Sequence, residues 1–322
     1  MKALCLLHYP HGTPQPGDFA LRELPDPVPG TGEALVQVTH LSMDPLPRLR
    51  MQEHSPVGPA MRIGAPVEGR GVGRVLQSND PGLAPGDMVV GELGWQSLSV
   101  VPTARLVRVE GGRPEDHLNA LGATGLAAWF VVDRLAPRDG ESLLVAPAAG
   151  AVGSLVCQMA QACAPGVKVS GTAVGTRQAA FLETLGVRPL RPEADWPGTV
   201  GIDLFVDGVG GALHERMFAH LNPRARVLLL GFVSAYGDDA PPQYGNAAAI
   251  LMKRARVEGF LLSDHMDRAE EARTGIARWL ADGTLRPAET VHRGLASAAT
   301  AFAGLFADSP PGKQIVELED AG

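Results

Sequence analysis

The segment Leu143-Leu144-Val145-Ala146-Pro147-Ala148-Ala149-Gly150-Ala151-Val152-Gly153 decides how this chain is read. Four apolar residues run into a turn of small residues, and a helix-forming stretch follows. An unbroken apolar run suits a strand buried on both faces. The turn reads Ala148-x-Gly150-x-x-Gly153, which departs from the Gly-x-Gly-x-x-Gly dinucleotide fingerprint only at its first position. In that pattern Gly150 lets the backbone approach a diphosphate, and Gly153 lets helix and strand pack closely. The amides of Ala149, Ala151 and Val152 would face the anion at the helix N-terminus, where the dipole favours negative charge. A plain strand–helix turn would use the same residue types, so the neighbouring segments must decide.

Downstream, apolar strand candidates alternate with helix patterns: Val167–Thr172, a helix Thr176–Leu185, Leu204–Asp207, a helix Ala212–Leu221, Arg226–Phe232 and Val257–Leu262. The quoted strand, Ser142–Ala146, is followed by a helix over Val152–Ala164. Alternation of this kind predicts a doubly wound parallel sheet. Upstream the texture differs. Fifteen of the 27 prolines precede residue 118, and they break the chain into short strands: Ala34–His40, Gly71–Gln77, Met88–Leu93, Leu98–Val101 and Leu106–Val109. After Pro287 come a helix, Ser297–Ala307, and a strand, Lys313–Leu318, that could rejoin the first part. The expectation is an α/β chain: residues 119–286 form a Rossmann-type dinucleotide-binding domain inserted into a discontinuous β domain of residues 1–118 and 287–322.

The end of the second strand of such a domain selects the nicotinamide. NAD-binding domains place an acid there for the ribose hydroxyls. Here Val167-Lys168-Val169 leads to Ser170-Gly171-Thr172, without an acid, and Arg177 opens the next helix. Thr172 and Arg177 would suit a 2′-phosphate and therefore NADPH, with Arg188 and Arg191 as further candidates; each arginine could equally be a solvated surface charge. Two more turns lie where ligands bind in open α/β sheets: Asp207-Gly208-Val209-Gly210-Gly211 and Gly231-Phe232-Val233.

Composition narrows the class. A net charge of −7 without a Lys/Arg run argues against a nucleic-acid partner. No uninterrupted apolar window approaches a membrane span, and the N-terminus lacks the pattern of a secretory signal. Three cysteines, Cys5, Cys157 and Cys163, supply no disulfide framework and suit a reducing, cytoplasmic setting. Cys157 and Cys163 read as small core residues on one helix.

These segments together resemble the zinc-independent medium-chain dehydrogenase/reductase superfamily, and within it the prostaglandin reductase and alkenal double-bond reductase (quinone oxidoreductase-like) group. The matches run nearly end to end. They include Leu41-Ser42-Met43-Asp44-Pro45, Gly71-Val72-Gly73-Arg74-Val75, Leu121-Gly122-Ala123-Thr124-Gly125, Val209-Gly210-Gly211, Lys253-Arg254-Ala255-Arg256-Val257-Glu258-Gly259-Phe260 and Gly312-Lys313. The resemblance implies a GroES-like β domain, a Rossmann domain, an active-site cleft between them, NADPH, and a homodimer joined through the Rossmann sheets near Val257–Leu262. It also implies that Tyr236 stands near nicotinamide and substrate, that Thr124 contacts the nicotinamide region, that Asp44 orders the cleft loop and that Lys313 reaches the cofactor. Thr124 could instead be a helix N-cap, and Asp44-Pro45 an ordinary turn. No metal is expected: where zinc enzymes of the superfamily carry Gly-His-Glu, this chain has Glu68-Gly69-Arg70-Gly71.

Hydride transfer without a metal calls for an electron-poor acceptor, such as the β-carbon of a conjugated carbonyl. The expected activity is NADPH-dependent reduction of the carbon–carbon double bond of an α,β-unsaturated ketone or aldehyde, with Tyr236 as hydrogen-bond donor or general acid. A quinone reductase of the same fold and a non-catalytic NADPH-binding protein are the alternatives. The chain departs from the family pattern where Leu46 replaces a common tyrosine, where Pro310 replaces a common asparagine, and in lacking a clean equivalent of the lysine that pairs with the 2′-phosphate.

Overall fold

The structure is a computed structural model, and it describes residues 1–192, 201–237, 246–307 and 309–318. The chain forms two compact units: Met1–Leu118 with Glu289–Ser309 and Gln314–Gly322, and Asn119–Ala288 with Pro310–Lys313. Asp308 and residues 319–322 of the expected β domain lie outside the described residues.

The first unit opens with β1 (Lys2–Leu6) and β2 (Phe19–Glu23), an antiparallel pair. Next come β3 (Glu33–Ser42), β4 (Arg70–Ser78), β5 (Met88–Glu92), β6 (Leu98–Pro102), β7 (Val107–Arg108) and a short helix α1 (Pro114–Leu118). In β3 the residues Ala34, Val36 and Val38 are buried and their neighbours less so, the period-two pattern of a strand with one face on a core.

The second unit begins with α2 (Ala123–Leu135) and β8 (Ser142–Ala146). It continues through α3 (Ala151–Cys163), β9 (Lys168–Thr172), α4 (Thr176–Thr184), β10 (Arg188–Leu190), β11 (Ile202–Asp207), α5 (Gly211–Ala219), β12 (Leu221–Leu229), α6 (Ala247–Lys253), β13 (Arg256–Gly259) and α7 (Ala269–Ala281). The chain then returns to the first unit with β14 (Glu289–Arg293), α8 (Ser297–Gly304) and β15 (Lys313–Glu317).

In the first unit the larger sheet has the order β14-β15-β3-β4-β5-β7, and β6 pairs with β3. Its core is built on Trp95, which is 1% exposed and packs its ring against Phe19 at 5.6 Å and Phe302 of α8 at 5.3 Å between centroids. In the second unit all six strands are parallel, in the order β10-β9-β8-β11-β12-β13. This is the doubly wound order, with the strand sequence reversing beside β8. Leu143 and Val145 of β8 join Leu204 and Val206 of β11 in one core with α2, α3 and α7. Leu144, Ala146 and Phe205 face the opposite way into a second core with α5. Burial on both faces is why these strands are apolar throughout.

Several expectations are corrected. Helix α5 stops at Ala219, and β12 starts at Leu221 rather than Arg226, because Leu221 pairs with Ile202 before a register shift that accommodates Asn222-Pro223-Arg224. Strand β13 ends at Gly259, short of Leu262. Cys157 is buried as expected, whereas Cys163, the last residue of α3, is exposed. Residues 310–313 pack with the second unit rather than the first. The strands β1, β2, β10 and β14 and helices α1, α6 and α7 were not anticipated. No described helix is long and apolar enough to cross a membrane.

The aromatic cluster yields a direct test of the first core. Trp95→Ala should lower the unfolding free energy by about 3–5 kcal/mol, read from urea denaturation; a loss below about 1 kcal/mol would mean that Trp95 does not anchor this core.

Candidate functional site

The loop after β8 converts an apolar strand into a helix in four residues, Pro147–Gly150. Gly150 is the N-cap of α3, in extended conformation and with no side-chain cap. The opening amides of any helix lack partners within it, so α3 presents them at the carboxyl end of the sheet. Two glycines here answer to different constraints. A β-carbon at Gly153 would stand 2.0 Å from the Pro147 carbonyl oxygen, so the packing of the protein itself forbids a side chain there. A β-carbon at Gly150 would meet nothing closer than Pro147 Cγ at 3.7 Å. No protein atom demands a glycine at 150; the space beside it suits a group that must approach the main chain. This open cradle at an uncapped helix N-terminus fits a diphosphate.

Around the cradle the other carboxyl-end loops are tied together by main-chain hydrogen bonds. Gly208 N–H donates to Ala146 O at 2.6 Å, and Ala148 N–H donates to Thr172 O at 3.4 Å. Gly312 N–H donates to Ala149 O at 2.8 Å, and Lys313 N–H to Ala288 O at 2.9 Å. Gly312 has φ +80, and a β-carbon there would fall 2.3 Å from Ala288 O, so only glycine permits this crossing. The strap delivers Lys313, 1% exposed, to the edge of the Ala149–Gly150 turn.

Thr172 ends β9 and is buried, and the strand end carries no carboxylate. Arg177 lies in the first turn of α4 and is exposed. Arg191 follows β10 at its carboxyl end, while Arg188 is the first residue of that strand.

The turn after β11 is organised by a residue that sequence reasoning passed over. Asp207 is fully buried; its Oδ1 accepts from Val209 N–H and Gly210 N–H, both at 2.9 Å, and its Oδ2 lies 2.6 Å from His214 Nδ1. Gly210, at φ +71, caps α5. The turn after β12 is bound to it: Val233 N–H donates to Gly208 O, and Ser234 donates to Val209 O through both N–H and Oγ. Phe232 packs over Gly210, whose β-carbon would lie 3.2 Å from Phe232 Cδ1. Tyr236 closes the turn, half-buried. Its hydroxyl sits beside Gly231, where a β-carbon would approach Oη to 2.8 Å. Burial pushes the phenol pKa above its usual value, opposed by a hydrogen bond from the Phe232 main chain.

The structure thus gathers Ala149–Gly153, Thr172, Val209, Gly210, Phe232, Val233, Tyr236 and Lys313 at the carboxyl end of one sheet. Thr124 is buried near the start of α2, but the N-cap is Gly122, so the capping reading of Thr124 is corrected. Asp44 belongs to the first unit, where Ser42 Oγ donates to its carboxylate at 2.6 Å. The next residues, Leu46–Arg50, form a short 3-10 turn held by Arg48, a buried guanidinium donating to Pro10 O, Gly12 O and Met51 O. Leu46 is 54% exposed. Glu68, in the segment compared with the zinc enzymes, pairs with Arg50 at 2.6 Å. Among the described residues no group of three or more His, Cys, Asp or Glu could hold a metal.

Asp207 and His214 were legible in principle: an acid ends an apolar strand before a glycine turn, and a histidine follows seven residues later on the helix. Ser234 left no comparable signal.

Residues 2–109 match the family model of the N-terminal domain of oxidoreductase. The NADPH-dependent curcumin reductase of Escherichia coli is 32% identical, covering 96% of this chain and 94% of that protein. A 2-alkenal reductase (NADP(+)-dependent) of Nicotiana tabacum is 29% identical, over 98% of this chain and 96% of its own. The crystal structure of CurA from Vibrio vulnificus in complex with NADPH superposes with a TM-score of 0.91 at 29% identity, covering 99% of this chain and 100% of that one. This chain therefore belongs to the zinc-independent medium-chain dehydrogenase/reductase superfamily, in its quinone oxidoreductase-like group with the curcumin and alkenal reductases.

Proposed function

We propose that this protein is an NADPH-dependent reductase of the conjugated carbon–carbon double bond in α,β-unsaturated ketones or aldehydes. The observation that carries the reading is Gly150, the N-cap of a helix with no side-chain cap hydrogen bond, at a position where no protein atom would forbid a β-carbon. Relatives named for NADPH and for curcumin or alkenal reduction support it.

The amides of Ala149, Ala151, Val152 and Gly153 hold the diphosphate, aided by the dipole of α3. Thr172 and Arg177 receive the 2′-phosphate, and the missing carboxylate at the end of β9 removes the repulsion that a phosphate would otherwise meet. Val209, Gly210, Phe232, Val233, Thr124 and Lys313 line the nicotinamide half. When bound, NADPH supplies the hydride that reduces the β-carbon. Tyr236 donates a hydrogen bond to the substrate carbonyl oxygen as negative charge develops there, stabilising it in a partly dry site. Because burial holds its proton on past the ordinary phenol range, Tyr236 remains a donor at neutral and mildly alkaline pH. The protein works as a homodimer paired along the exposed edge of its parallel sheet at β13.

Three outcomes follow. NADPH oxidation should be fast with enones and enals and yield the saturated carbonyl compound, while NADH should be at least about tenfold poorer in kcat/KM, a difference of about 1.4 kcal/mol. Equal use of NADH would remove the 2′-phosphate assignment, and turnover confined to quinones would replace the double-bond reading. Gly150→Ala should fold with near-native stability yet bind NADPH about tenfold more weakly, because its methyl group occupies the cradle. Gly153→Ala should instead lose about 1–3 kcal/mol of stability through overpacking. Thermal melting and fluorescence titration of both variants separate these effects. Tyr236→Phe should lower kcat by roughly a hundredfold and leave NADPH affinity nearly unchanged. The alkaline fall in the wild-type rate that belongs to this phenol should lie above pH 10.0 and vanish in the variant.

A further inference from the structure

Asp207 and His214 have no part in the scheme above. They are 0% and 1% exposed. A buried carboxylate is costly unless its oxygens are hydrogen-bonded, and here both are: Oδ1 by two loop amides and Oδ2 by His214 Nδ1. The carboxylate is an acceptor, so Nδ1 carries the proton. The imidazole is fixed between rings, with its centroid 4.1 Å from that of Phe218 and 6.4 Å from that of Phe205. Helix α5 therefore clamps the end of β11, and the carboxylate between them sets the orientation of the Val209 and Gly210 peptides. Those peptides in turn hold the Tyr236 turn. Gly208 O accepts from Val233 N–H at 3.2 Å, and Val209 O accepts from Ser234 N–H at 3.1 Å and from Ser234 Oγ at 2.7 Å. Two hydrogen-bonded steps separate the pair from the segment that ends in Tyr236.

We infer that Asp207 and His214 are positioning residues, which fix the place of the Tyr236 hydroxyl through the Val209–Gly210 loop. The inference rests on the reduction proposed above and adds a device that no part of that reading requires. A pair that only stabilised the fold would change melting temperature without changing how Tyr236 acts.

The test compares His214→Leu, which removes the donor, with His214→Asn, whose amide can donate to the same oxygen. Each is made with and without Tyr236→Phe and assayed for kcat with an enone at saturating NADPH. The cofactor-free proteins are followed by hydrogen exchange. His214→Leu should lower kcat about tenfold, a coupling within the range of residues in one hydrogen-bond network, and His214→Asn should recover most of it. In the Tyr236→Phe background His214→Leu should cause no further loss. Amide exchange should quicken at Val209, Gly210 and Val233–Tyr236 and stay unchanged at Leu143–Val145. Additive losses in the double variant, or unchanged exchange at Val233–Tyr236, would overturn the positioning role. Should His214→Leu fail to fold, Ser234→Ala, a change at an exposed residue, puts the second link through the same cycle with the same two outcomes. A full rate in Tyr236→Phe alone would defeat the role of the tyrosine and the relay together. A slowed Tyr236→Phe with additive losses would defeat the relay only.

Discussion

The hydrogen bond from Gly208 N–H to Ala146 O joins the ends of β8 and β11 at the point where the order of the sheet reverses. On one side of β8 the chain runs outward through β9 and β10, and on the other through β11, β12 and β13. The helices that follow β8 and β11 leave on opposite faces of the sheet. Parallel pairing with right-handed crossovers produces this divergence where the strand order reverses. The turns after β8, β9, β11 and β12 are anchored to this junction directly or through one neighbour. Pro147 backs Gly153, Thr172 receives Ala148, and Gly208 receives Val233.

Small residues do two kinds of work at the junction. Gly153, Gly171 and Gly312 are required by protein atoms: their β-carbons would fall 2.0 Å from Pro147 O, 2.2 Å from Ala148 Cβ and 2.3 Å from Ala288 O. Gly150 is required by none. The distinction matters because a glycine-rich turn is otherwise ambiguous between tight packing and ligand approach. A neighbour well inside van der Waals distance argues for the first, and room for a β-carbon at a helix N-terminus for the second.

Apart from β10 and α6, the strand-and-helix alternation from Ser142 to Gly259 could be read directly, because strands buried on both faces must be apolar and their connecting helices must be amphipathic. The antiparallel strands β3 to β6 were legible from period-two alternation between turns. Helix α7 escaped notice although Ala269, Ala272 and Ile276 share one buried face, since alanine marks a helix face only weakly. The β1 and β2 pair was hidden by the prolines and glycines between its strands. For the candidate site, Gly150, Gly153, Thr172, Val209 and Gly210 are offered by motif and by their position after strands, and Tyr236 by the resemblance to the family. The Asp207–His214 contact is not, because a carboxylate and a histidine seven residues apart acquire meaning only when both are dry.

By itself the sequence determined the class of the fold, its division into a β part and a strand–helix alternating part, and the family, because periodicity and glycine spacing are local and survive without coordinates. Tertiary structure alone decided which glycine is forced by packing and which leaves room for a ligand. It also brought residues 310–313 from the far end of the chain against the Ala149–Gly150 turn, and it buried Asp207 against His214. The last of these contacts and the glycine packing are short in sequence, and only residues 310–313 come from far along the chain, but all three depend on distances and burial in three dimensions that no local pattern encodes.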